Sequence, residues 1–113
     1  MNNSKPRFIK DFDKLSSELQ EQIKLSFPYG FTDDLISFTN KDGKLVSALP
    51  FETDDKYYLI RMTVSEAIQI VEDDDDYDDE GELKNDARSE YLDKYSDLNY
   101  IADNVGDDDD FEE

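Results

Sequence analysis

Apolar and polar positions change period along this chain, and the changes predict its elements. Leu15, Leu19 and Ile23 recur at every fourth position and give one apolar stripe to a helix expected over Leu15–Leu25. Ser16 or Ser17 is placed to cap its start, and Ser17 with Gln20 has the spacing of a capping box. Pro28 ends the helix, because the residue before a proline is pushed out of α space. The pattern then becomes strand-like. Leu35–Thr39 and Leu45–Leu49 flank Asn40-Lys41-Asp42-Gly43-Lys44, and an Asp-Gly pair between two such runs marks a hairpin. Pro50 cannot donate to a ladder, so the second strand is expected to end there or to lie at an edge. A third run, Lys56–Met62, alternates Tyr58, Ile60 and Met62 with Tyr57, Leu59 and Arg61. These three runs predict an antiparallel meander.

Thr63-Val64-Ser65-Glu66 is a Thr-x-x-Glu capping box, and it opens a second helix with Val64, Ala67, Ile68 and Val71 as the expected apolar face. That helix runs into carboxylates, which oppose the macrodipole at a helix C-terminus by about 0.3–1 kcal/mol each. It is therefore expected to fray near Glu72. After Gly81 a helical spacing returns in Ala87, Tyr91, Tyr95, Leu98 and Ala102. The fold class expected is α+β: a flexible arm over 1–12, then a small domain over 13–72 built as helix, three-stranded meander and helix. An acidic solvated loop over 73–82, a Tyr-bearing amphipathic helix over 83–103 and a disordered acidic tail over 104–113 follow.

Charge sharpens that division. Residues 1–71 carry 9 Lys+Arg and 11 Asp+Glu, whereas residues 72–113 carry 3 and 20. A nearly neutral unit thus precedes a strongly anionic one. At 113 residues the chain holds at most one domain with appendages. A unit of about 70 residues buries only roughly 60% of its unfolded surface, so modest stability is expected. Cysteine and histidine are absent, which excludes a disulfide framework, a thiolate zinc site, a Cys nucleophile and the commonest general base. The first residues have no apolar run behind them and no stretch approaches a membrane span. A cytoplasmic protein with no membrane partner is expected. Direct nucleic-acid binding is disfavoured by the same charge that would attract basic proteins.

Phe27-Pro28-Tyr29-Gly30-Phe31, Asn40-Lys41-Asp42-Gly43-Lys44, Ser47–Thr53, Tyr57–Thr63 and the acidic run together resemble a group of short acidic bacterial proteins, some of them labelled DNA primase. The resemblance covers Leu15 to Tyr100 and implies no site residues, since no catalytic motif lies inside it. A bacterial-type primase also calls for a larger catalytic domain and commonly a Cys-based zinc module.

Three constellations carry chemistry. The aromatic turn Phe27–Phe31 either presents rings to a partner or plugs the end of a small core, and the second reading suits a small domain better. Asp76, Asp78 and Glu80 fall at ligand positions one, three and five of a calcium-type loop, with Gly81 at its sharp turn. Position twelve is Ala87, so the closing carboxylate is missing. The alternative to a specific site is weak, diffuse association of Ca2+ or Mg2+, and no resident cofactor is expected. Catalysis would need a tuned group in a cleft, and a unit this small has no room for one, so a non-enzyme is expected.

The leading expectation is a protein-interaction module. Glu72, Asp73, Asp74, Asp75, Asp76, Tyr77, Asp78, Asp79 and Glu80, with Tyr91 and Tyr95, would meet a basic protein or nucleoprotein complex. Charge would speed the encounter and tyrosine rings would supply contact energy. Such a module would mimic a polyanion or regulate transcription, replication or translation machinery. In the competing reading, the tyrosines pack on the protein's own sheet and the acids keep it soluble. The class runner-up is the divalent-cation loop.

Overall fold

Residues from one four-stranded sheet and from three helices share one hydrophobic core. The computed structural model of the chain describes residues 5–98, in the order β1 (Arg7–Asp11), α1 (Ser17–Ser26), β2 (Ile36–Thr39), β3 (Leu45–Glu52), β4 (Tyr57–Arg61), α2 (Val64–Asp73) and α3 (Asn85–Lys94). Short 3-10 turns lie at Phe12–Lys14 and Thr32–Asp34. The architecture is α+β, with strand order β1-β4-β3-β2.

The meander is present as β2, β3 and β4, paired antiparallel, but it is not the whole sheet. Residues 7–11, expected as an arm, form a fourth strand parallel to β4, with Phe8 opposite Tyr58 and Ile9 opposite Leu59. Its side chains explain the correction. The Phe8 ring lies 5.8 Å from that of Tyr58, the Arg7 guanidinium sits over Tyr57, and Asp11 accepts from Arg61 at 3.0–3.1 Å. Alternation over five residues was too short a signal to separate an edge strand from an arm.

Pro50 lies inside β3 rather than at its end. Ser47 accepts the Met62 N–H, so Ser47 and Leu49 face β4 while Ala48 and Pro50 face the β2 side. β2 stops opposite Ala48. The missing proline donor therefore points where no strand remains to be bonded.

Leu49, Phe51 and Ile60 are fully buried on the helix side of the sheet and pack with Ile23, Leu25, Phe31, Ala67 and Val71. α1 begins at an N-cap, Ser16, whose hydroxyl accepts the Leu19 N–H at 3.2 Å. The box expected from Ser17 and Gln20 does not form, because the Gln20 amide donates to the Phe12 and Leu15 carbonyls. In α2 the Thr63–Glu66 box closes in both directions, at 2.9 and 3.0 Å. The helix ends at Asp73, within one residue of the first carboxylate. Its buried stripe is rotated from the one expected. Ala67, Ile70 and Val71 pack inward, and Val64 and Ile68 stay exposed.

α3 stops at Lys94, well short of residue 103, and a turn carries the chain to Leu98. The expected tail over 104–113 lies outside the described residues. No helix among the described residues is long and apolar enough to cross a membrane.

Candidate functional site

The acidic segment is an ordered loop, with Asp75, Asp78, Asp79 and Glu80 exposed, Asp74 and Asp76 half-buried and Tyr77 buried. After Asp73 the chain folds into a small hairpin, closed by a bridge between Tyr77 and Leu83 and turned at Gly81, whose φ is 81°. Asp78 N–H donates to the Glu82 carbonyl and Lys84 N–H to the Asp76 carbonyl, each at 2.8 Å. The side chains serve the turn as well. Asp78 Oδ1 accepts the N–H groups of Glu80 and Glu82, and Asp74 Oδ1 accepts that of Asp76. Short acidic side chains bonding backbone a residue or two ahead is a local preference of aspartate.

Two backbone-directed contacts lock this hairpin to the aromatic turn. Leu83 N–H donates to the Pro28 carbonyl at 2.6 Å, and the Tyr77 hydroxyl donates to the Phe27 carbonyl at 3.0 Å. Tyr77 is buried, with its ring edge-on to Phe31 at 6.2 Å. Phe27 and Phe31 are also buried, as the core-plug reading requires, but Tyr29 between them is 74% exposed.

The inner side of the segment is neutralised from within. Lys24, near the end of α1, reaches Asp76 Oδ2 at 2.7 Å and Asp74 Oδ2 at 2.9 Å. Its side chain is only 10% exposed. The Tyr91 hydroxyl donates to the same Asp76 oxygen at 2.5 Å, and the ammonium lies 5.6 Å from the Tyr91 ring centre. Burial works against both charges. The hydrogen bonds from Lys24 and Tyr91 outweigh it and hold the Asp76 carboxyl below the ordinary aspartate range. Burial likewise opposes the Lys24 charge, and Asp76 and Asp74 overcome it, so its ammonium is held above the usual lysine value.

A second bridge repeats the motif one turn away. Glu21 accepts from Lys94 at 2.8 Å and from the Tyr95 hydroxyl at 2.6 Å. Burial and the Glu21 carboxylate push the Tyr95 hydroxyl up to about 12. The Tyr91 hydroxyl rises too, by burial first and then by Asp76. These pairs hold α3 against α1.

The outer side differs. Among the described residues, Glu72, Asp78, Asp79 and Glu80 form no ion pair. They rim a groove of ≈ 580 Å³ between the aromatic turn, the C-terminal half of α2 and the hairpin. Its apolar lining comes from Tyr29, Phe31, Ile68 and Val71. A volume of this size is ordinary for a ligand cleft, and the mix of apolar wall and carboxylate rim is chemically specific.

The residues singled out from the sequence therefore separate. Glu72, Asp78, Asp79 and Glu80 gather at the groove, while Asp73 and Asp75 are exposed outside it. Asp74, Asp76, Tyr77, Tyr91 and Tyr95 make their contacts within the protein's own packing. A tyrosine inside an acidic run looks exposed on composition, and only the apolar Leu83 across the turn betrays its inward direction.

Two of the three calcium-type ligand candidates are engaged within the protein. One Asp76 oxygen serves Lys24 and Tyr91, one Asp78 oxygen serves the turn, and no group of three or more His, Cys, Asp or Glu among the described residues is disposed to hold a metal ion.

Sequence reasoning gave Lys24 no role, placed Ile68 on a core-facing helix stripe and weighed Tyr29, within the aromatic turn, both as a partner contact and as core. Lys24 gave no signal beyond its place between Ile23 and Leu25, both apolar. No protein-family model, curated protein or solved structure matches the chain.

Proposed function

We propose that this chain is a non-catalytic interaction module that binds a basic surface of a protein or nucleoprotein partner through the outward carboxylates of its acidic segment. The observation that carries the reading is the groove rim. Four carboxylates surround an apolar floor without a cation from the described residues to neutralise them. The inward Asp74, Asp76 and Glu21, by contrast, are each paired with a lysine. Leaving the rim uncompensated on a chain of net charge -19 favours a cationic guest. Basic surfaces of that kind normally meet nucleic acid, so the module would act as a polyanion mimic or regulate transcription, replication or translation machinery.

The test is recovery of partners from lysate at low and high salt, using the intact chain and an Asp79→Asn/Glu80→Gln double variant. The reading predicts basic proteins retained at low salt, released at high salt and depleted on the variant. Recovery of no basic protein at low salt would end it.

A further inference from the structure

Resting on that reading, we propose that the groove between Tyr29 and the Asp78–Gly81 turn receives one long cationic side chain of the partner, an arginine. Its stem would lie on Ile68 and Val71, its guanidinium plane on the Tyr29 ring, and its N–H groups would reach Glu72, Asp79 and Glu80.

The groove is rigid enough to be selective. Its two walls are joined by the Leu83–Pro28 and Tyr77–Phe27 hydrogen bonds. The two turns also meet closely, since a methyl group at Gly30 would lie 3.9 Å from the Gly81 carbonyl oxygen. Gly30 has φ 94° and Gly81 φ 81°, so both walls use backbone that side-chain-bearing residues rarely adopt. A guest would therefore enter a preformed slot and would not have to order one, which limits the entropic cost of binding.

The lining selects the guest's chemistry. A purely apolar guest would strip water from four carboxylates and return no charge to them. A bare divalent ion would make no use of Ile68, which is 47% exposed, or of the Tyr29 ring. A long side chain with an apolar stem and a cationic head satisfies both parts at once. Between the two natural candidates the geometry favours arginine. A guanidinium stacks flat on a tyrosine and donates in pairs to carboxylates, whereas an ammonium is a compact, strongly hydrated point charge.

The same chain already builds this arrangement once, on the other side of the acidic hairpin. There Lys24 is held by two carboxylates and lies over the Tyr91 ring. The outer groove likewise brings carboxylates and a tyrosine into one lining.

The experiment is an amide-resolved NMR titration of the full chain with hexa-arginine and with hexa-lysine at low salt. Tyr29→Ala and Glu90→Gln serve as variants, and Glu90 lies on α3 away from the groove. Tyr29 is exposed, so its loss leaves the fold intact, and thermal melting verifies that. The proposal predicts that hexa-arginine moves the amides of Tyr29, Gly30 and Gly81 first and binds several-fold more tightly than hexa-lysine. Tyr29→Ala is expected to weaken hexa-arginine binding by about two- to fivefold, the span of an exposed cation–π contact of about 0.5–1 kcal/mol, and Glu90→Gln to leave it unchanged. Equal affinity for the two peptides, or shifts spread evenly over all acidic positions with Tyr29→Ala indifferent, overturns the arginine groove. In that outcome a basic partner recovered from lysate would still stand. If neither peptide binds and no basic protein is recovered, the broader reading falls with it.

Discussion

Asp74, Asp76 and Tyr77 differ little in kind from Asp78, Asp79 and Tyr29, yet the first set holds the domain together and the second faces solvent. The inner carboxylates share Lys24, and the inner ring plugs the core beneath Phe31. The outer carboxylates rim a groove, and the outer ring stands exposed beside it. What separates them is the backbone path after Asp73, which brings Asp74, Asp76 and Tyr77 against α1 and the aromatic turn and leaves Asp78 and Asp79 exposed at the turn before Gly81. Residue identity supplied the charge, and that path decided its use.

The largest effect expected on this comparison comes from the rings. Tyr77→Ala removes a buried aromatic and its hydrogen bond to Phe27 and should cost about 3–4 kcal/mol. Tyr29→Ala, at an exposed site, should stay within about 0.5 kcal/mol. Urea denaturation of both variants measures the gap, and equal losses would erase the distinction.

Next comes the cation that sorts the acids. Lys24→Met leaves two partly buried carboxylates facing each other without a counterion. Removing one partner of a fully buried pair costs about 3–5 kcal/mol. Asp74 and Asp76 retain 21% and 28% exposure, so a loss of about 2–3 kcal/mol is expected here. A midpoint unchanged in urea would show that the inner pair contributes nothing.

The pH profile gives a smaller, two-sided signature. The folded Asp76 carboxyl titrates below its ordinary 3.8, so the unfolded chain takes up its proton first as pH falls. The Asp76 contribution is complete above that value and is lost as pH drops through the folded one. Lys24 is raised from 10.5 and Tyr91 from 10.0, so their contributions are complete below those values and fade as pH climbs through the folded ones. Melting temperatures across both ranges should show an acid arm that shrinks in Asp76→Asn and an alkaline arm that shrinks in Tyr91→Phe. Unchanged arms in the variants would contradict the assignment.

Local signals read well in this sequence because their physics is local. The Thr63–Glu66 box, the Asp42-Gly43 turn, β2 to β4 and the end of α2 at the first carboxylates all follow from neighbours a few residues apart. The errors concern partners distant in sequence. Arg7–Asp11 became a strand because β4, fifty residues on, left an edge to pair with. Lys24 met Asp74 and Asp76 across a similar separation. Nothing within a turn of either residue announces such a meeting. The candidate site was legible as charge and illegible as geometry: Glu72, Asp78, Asp79 and Glu80 were among the residues expected to bind, but Ile68 was read as core and Tyr29 as more suited to core than to a partner.

The division of the acidic run is tested most directly by neutralising each side in turn, as Asp74→Asn/Asp76→Asn and as Asp79→Asn/Glu80→Gln. Melting temperature and hexa-arginine affinity are then measured on both. The account predicts that the inner double variant loses melting temperature and, while folded, keeps its affinity, whereas the outer one keeps its melting temperature and loses affinity. Two variants that shift the same quantity by the same amount would contradict it.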